Sequence, residues 1–258
     1  MTHRQFLQTR ISRLEYQLLR PADQGPVLVL LHEGLGSLDL WKDFPAQLAD
    51  ACAAPVLVYS RQGYGRSSPV RLPRPLDYLS QDGPQELEHV LDGLALDQVI
   101  LVGHSDGASI ALAYAARQDP RVKGVVVLAP HVDVEPASVA GVRRTVQAYT
   151  RGDLHERLRA YHGSNLEGAF HGWSDTWLNP DFATWNLHTA LPLIQVPVLA
   201  IQGDNDEFAT PAQLQNLASM VSGPCRTLLL EHCRHFPQNQ ARARVLELID
   251  EFRATLDR

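Results

Sequence analysis

Gly103-His104-Ser105-Asp106-Gly107 follows one short apolar run and opens another. A serine hydroxyl is a poor nucleophile in water, so its chemistry depends on a neighbouring base and on a backbone that exposes it. The G-x-S-x-G pattern meets the second need. Small residues two before and two after the serine leave room for a sharp strand-to-helix turn. That turn lifts the hydroxyl above a helix start whose first N–H groups are unpaired. Alone the pattern is weak. Between a buried-looking strand and an apolar helix it points to Ser105 as a nucleophile rather than a helix cap.

An activated serine needs a base, and the base needs an orienting acid. Asp204-Asn205-Asp206-Glu207 follows the run "VPVLAIQG", and His232-Cys233-Arg234-His235 follows "RTLLLE". Both loops lie just past strand C-termini, where catalytic groups collect in open α/β sheets. Asp206 and His235 lie farther into their loops than Asp204 and His232. Asp133, after "GVVVLA", is a second candidate acid or a hinge residue, and His131 stands beside it. Cys233 lacks an elbow and reads as a small buried thiol. A developing oxyanion needs N–H donors. His32-Glu33-Gly34-Leu35-Gly36, at the end of the first long apolar run, offers the Gly34 N–H. The residue after the nucleophile, Asp106, offers the other. This chemistry calls for no metal and no organic cofactor.

Two carboxylates beside these donors are electrostatically awkward. Asp106 and Glu33 must therefore point aside, pair, or meet a cation, and Arg61 at a neighbouring strand end is a candidate partner. An internal ion-pair network is one reading; capture of a substrate amine is the sharper one. Trp173 and Trp177, four apart, share a helix face. With Glu33 they are candidate substrate-binding residues, although aromatics at this spacing also serve as plain packing.

These residues need a frame. Apolar runs at 27–32, 55–60, 98–103, 124–129, 196–203 and 226–231 read as strands covered on both faces. Helical patterns at 40–53, 84–95, 108–118, 211–221 (capped by Thr210) and 239–256 alternate with them. The result is a mostly parallel sheet with helices on both faces. "RISRLEYQLLR" adds antiparallel edge strands. Residues 132–192 break the rhythm: no convincing strand, short polar helical patterns, and Trp173, Trp177 and Trp185 from a total of four Trp. They read as a helical insertion in a core formed by residues 1–131 and 193–258.

The chain has 258 residues and a net charge of −6, with no basic run, which excludes nucleic acid and anionic membrane as expected partners. Three cysteines without a CxxC suit neither a disulfide framework nor a zinc site. Without an apolar leader or membrane-length stretch, the expectation is a cytoplasmic protein acting on a small molecule.

"LLHEGLGS", "YSRQGYGRSS", "LVGHSDGASIAL", "VPVLAIQGDND" and "HCRHFPQNQ" together resemble the α/β-hydrolase superfamily, serine-nucleophile branch, over nearly the whole length. The resemblance implies Asp206 as the acid, three residues after Gly203, and His235 as the base. It also implies that 132–192 is a cap over the pocket. A serine at the elbow argues against the dehalogenase and epoxide-hydrolase chemistries of this fold, which use a carboxylate. The implied activity is hydrolysis of a small carboxylic ester, lactone or thioester. Alternatives are carbon–carbon bond hydrolysis of a diketone-like compound, or a non-catalytic binding module. The chain departs from the family in "HEGLG" for the usual "HGxxG", in Arg234 before the histidine, and in Asp106 after the serine.

Overall fold

The computed structural model describes residues 4–19 and 25–256. Each apolar run becomes a strand: β3 (Val27–Leu31), β4 (Val56–Tyr59), β5 (Val99–His104), β6 (Val122–Leu128), β7 (Val198–Gly203) and β8 (Cys225–Leu230). The N-terminal segment supplies β1 (Gln5–Gln8) and β2 (Arg13–Leu19). The eight strands form one sheet in the order β1-β2-β4-β3-β5-β6-β7-β8. β1 and β2 pair antiparallel, and all pairs from β4 to β8 are parallel. β4, β5 and β7 are buried at every position, and β6 at every position but Lys123, as continuous apolar runs require. β8 departs from that expectation: it is an edge strand in which no residue is buried, because no strand lies beyond it among the described residues.

Helices cover both faces. α1 (Phe44–Cys52) and α9 (Arg242–Leu256) bring Leu48, Val245 and Ile249 onto Leu28, Leu30, Val102 and Val126. α2 (Asp82–Gly93), α3 (Asp106–Ala115) and α7 (Ala212–Met220) pack Val90, Ile110 and Leu217 against Val29, Leu101 and Val127. Strand alternation sends successive side chains to opposite faces, which is why two separate cores form. Helix α7 starts one residue later than the sequence suggests, with Pro211 at the cap. Thr210 still serves it, accepting the Ala212 N–H at 3.3 Å. The C-terminal helix is split: α8 (Pro237–Gln240) ends before α9 begins.

Between β6 and β7 the chain makes a helical excursion of α4 (Pro136–Arg151), α5 (Leu154–His162) and α6 (Leu166–Trp177). Among the described residues it holds no strand, only an isolated bridge between Asp133 and Asn186. Helix α4 is longer than its pattern suggests, at 16 residues. Four of them, Ser138, Gly141, Val142 and Tyr149, are buried, so the apolar periodicity is too thin to read. Trp173, Trp177 and Phe182 join the main core. Tyr149, Leu158, Leu166 and Phe170 form a satellite cluster around a stacked Tyr149–Phe170 pair.

Strand order reverses between β3 and β5, and that switch point leaves a crevice at their C-terminal ends. Ser105 sits there with φ 52° and ψ −119°, outside the helical and extended regions. Such a residue costs on the order of 1–3 kcal/mol and persists only where its surroundings dictate it. Here they do. A Cβ on Gly107 would stand 2.1 Å from the Leu31 carbonyl oxygen, and one on Gly103 would stand 2.3 Å from the Gly107 oxygen. Both obstacles are backbone, which cannot rotate away. Gly107→Ala therefore pushes α3 off β3. The expected cost is roughly 1–3 kcal/mol, a melting-temperature loss of roughly 3–10 °C. An unchanged melting temperature by calorimetry contradicts this account of the turn.

Candidate active site

Three of the residues singled out by sequence converge across the tips of three strands. Ser105 follows β5, Asp206 follows β7, and His235 follows β8. His235 Nε2 lies 3.0 Å from Ser105 Oγ, and His235 Nδ1 lies 2.8 Å from Asp206 Oδ1. The serine hydroxyl therefore donates to an imidazole whose other nitrogen donates to a carboxylate. Asp206 Oδ1 also accepts the Phe208 N–H at 2.8 Å, which fixes the carboxylate plane. Burial is the largest single influence and raises the Asp206 carboxyl, but the His235 hydrogen bond and charge, with the Phe208 N–H, together outweigh it and hold the group below its ordinary value. The carboxylate is thus ionised wherever the imidazole works.

His235 is held by its backbone as well. Its N–H donates to Glu207 at 3.2 Å, and its carbonyl accepts His104 Nε2 at 2.7 Å. The rings of Phe208 and Phe236 flank it at 4.6 and 5.6 Å. The other candidates lie elsewhere. Asp204 accepts from its neighbour Asn205 at 2.7 Å, and Asp133 is held by Gln213, Asn216 and His188, tying both ends of the excursion to α7. Cys233 is buried, and burial raises its thiol above the ordinary range, which keeps it protonated.

The β3 loop is set by one carbonyl. The Glu33 oxygen accepts from His32 Nδ1 at 2.7 Å, from the Gly36 N–H at 3.0 Å and from Arg61 Nη2 at 3.1 Å. In a trans peptide the next N–H points the opposite way. The Gly34 N–H is thereby turned from Arg61 toward the crevice. Asp106 is the first residue of α3, so its N–H has no acceptor within the helix. Gly34 admits no side chain: a Cβ would stand 2.2 Å from Trp173 Nε1.

The two acidic neighbours are both accounted for within the protein. The Asp106 carboxylate accepts from the Tyr78 hydroxyl and, at 3.2 Å, from Trp177 Nε1. Burial raises its carboxyl, and burial likewise raises Tyr78, which keeps the phenol a donor. Glu33 Oε2 lies 3.4 Å from His104 Nδ1. Burial is again the largest influence and raises Glu33, but His104, the loop backbone and Arg61 together outweigh it and the carboxyl ends below its ordinary value. Arg61 is not the direct ion-pair partner that its strand-end position suggested. Its guanidinium donates to the carbonyls of His32 and Glu33 and reaches Asp106 only through space. Tyr78 gave no sign in the sequence, because it lies in a loop that meets Asp106 only in the folded chain.

Ser105, His235 and Asp106 open on a cavity of about 400 Å³. Gly34 lines it with them; Leu35, Val142, Leu158 and Phe208 make the lining largely apolar, and Glu33, Trp173 and Trp177 also belong to it. Both indoles are nearly fully buried, so they serve as core and as pocket wall together. Among the described residues no cluster of His, Cys, Asp and Glu could hold a metal, and no helix is long and apolar enough to cross a membrane.

Comparison with known proteins follows the same line. A 1-acylglycerol-3-phosphate O-acyltransferase of Sus scrofa is 30% identical over 60% of this chain and 44% of its own length. The chain thus matches less than half of that relative. A proline iminopeptidase of Lactobacillus delbrueckii subsp. lactis is 26% identical over 91% of this chain and 92% of its own. The crystal structure of the enol-lactonase from Burkholderia xenovorans superimposes with a TM-score of 0.72 at 22% identity, covering 96% of this chain and 99% of the other. The model of the alpha/beta hydrolase fold matches residues 26–187, well over half the sequence. The chain belongs to the alpha/beta hydrolase fold family.

Proposed function

We propose that this hydrolase is a carboxylesterase-like serine enzyme acting on a small ester, lactone or thioester, with Ser105 as nucleophile, His235 as base and Asp206 as its orienting acid. The observation that carries the reading is the hydrogen-bonded chain of 3.0 and 2.8 Å from Ser105 through His235 to Asp206 at the cavity. Ser105 passes its proton to His235 and attacks the acyl carbonyl. The N–H groups of Gly34 and Asp106 receive the oxyanion. His235 then returns the proton to the leaving group, and water repeats the sequence to release the acid. The segment 132–192 acts as a cap: α4, α5 and α6 supply Val142, Leu158 and the two indoles to the pocket, and the apolar wall suits an alkyl acyl chain. Three free cysteines support a cytoplasmic setting.

A second reading, release of an N-terminal residue from a peptide, takes its motive from the proline iminopeptidase relative and from Glu33 and Glu207 in the cavity lining. Glu207 is already engaged by Arg234 at 3.0 Å, which favours the ester reading. Carbon–carbon bond hydrolysis would use the same serine, but no feature of the cavity favours it.

With p-nitrophenyl butyrate, Ser105→Ala is expected to lose roughly 10⁴-fold or more in kcat, and Asp206→Asn roughly 10³–10⁴-fold. Wild-type rates in either variant count against the assignment. Proline p-nitroanilide cleaved faster than the ester would favour the peptidase reading. The depressed Asp206 carboxyl also bears on stability. A group bound more weakly by protons in the folded state stabilises above its unfolded value near 3.9, and that contribution is lost as pH falls through the lower folded value. The stability gap between wild type and Asp206→Asn, from urea unfolding, is expected to narrow from pH 6 to pH 3. A gap that widens on acidification contradicts the sign.

A further inference from the structure

His131 takes no part in the chemistry above, yet it stands at the site. It follows β6 and lines the cavity, 2% exposed, with its ring 5.8 Å from the His235 ring and 5.0 Å from the Trp177 ring. Its Nδ1 is buried and has no hydrogen-bond partner among the described residues. Unpaired buried N–H donors are rarer than unpaired acceptors, so the proton belongs on Nε2, on the part of the ring left for the cavity. Burial, and then the neighbouring His235, push the His131 imidazole down to about 3, so the ring is neutral across the working range. A neutral donor without a partner, in a cavity wall, fits a ligand oxygen.

Topology says which oxygen. In the sheet, β3 lies on one side of β5 and β6 on the other. The oxyanion loop follows β3, so the carbonyl oxygen is drawn to that side. Leu35 and Leu40, from the same loop region, line the apolar wall. His131 lies on the opposite side, beside His235, the group that hands its proton to the leaving oxygen. Asp206, Glu33 and Glu207 place three carboxylates at the site against Arg157 in the lining and Arg234 on Glu207, a balance that offers an anionic ligand no net positive charge there.

We infer that His131 reads a hydroxyl on the alcohol half of the substrate, next to the bond that Ser105 breaks, so that esters of small polyols are preferred over esters of simple alcohols. This rests on the serine-hydrolase reading and narrows it. The test compares 2-hydroxyethyl hexanoate with propyl hexanoate, which match in length and differ in the terminal hydroxyl. Wild type is expected to favour the hydroxyethyl ester in kcat/KM by about 3- to 10-fold, the range of one buried hydrogen bond. In His131→Leu the ratio of the two falls to near one. His131→Gln, which keeps a donor, retains a preference of about twofold or more. A wild-type ratio near one, or the same ratio in His131→Leu, overturns the inference. If neither ester is cleaved while a fluorophosphonate still labels Ser105, the substrate class is wrong; if Ser105 is not labelled, the hydrolase reading falls, and this inference with it.

Discussion

The first turn of α3 lies so close to the end of β3 that no side chain fits between them. A Cβ on Gly107 would stand 2.1 Å from the Leu31 oxygen. That single approach sets much of the site. It brings the start of α3, with the unpaired N–H of Asp106, alongside the loop that carries Gly34. It forces the chain between β5 and α3 into a tight turn, which leaves Ser105 at φ 52°. The strain is held by packing on both sides, since β5 pairs in parallel with β3 throughout and with β6 continuously from Ile100 to His104. A hydroxyl raised in this way can be met by an imidazole arriving from the far edge of the sheet, across β6 and β7.

The carboxylates Asp106 and Glu33 share the field of one buried cation, Arg61. Arg61 is buried, and among the described residues it makes no direct ion pair; its guanidinium donates to the carbonyls of His32 and Glu33. A buried cation usually takes a carboxylate partner. Here Asp106 balances the charge through space while its own oxygens are held by Tyr78 and Trp177. Burial raises the Asp106 carboxyl, while Arg61 and the Tyr78 and Trp177 hydrogen bonds pull it back down. Asp106 is therefore a structural anchor for Tyr78 and for Trp177 of α6, joining the excursion to the core.

Much of this was readable from residue order alone. The strands announced themselves because burial on both faces demands unbroken runs of Val, Leu and Ile, and Ser105, Asp206 and His235 follow three of those runs. What was hidden depends on contacts between segments distant in sequence. Arg61 was visible as a strand-end cation, but its target was not, because carbonyl acceptors have no residue identity. Tyr78 lies 28 positions from Asp106. Helix α4 was underestimated because a helix lying on a surface needs few apolar residues. β8 resembles its neighbours in composition, yet edge position comes from topology.

The central claim is that Ser105 carries the acyl group. Rapid-quench mass spectrometry of the protein mixed with p-nitrophenyl butyrate tests it most directly. The account predicts a transient mass increase of one butyryl group, mapped to the peptide containing Ser105 and absent in Ser105→Ala. A butyryl adduct mapped instead to Cys233, or p-nitrophenol release with no covalent species in wild type under conditions where deacylation is slowed, would contradict it.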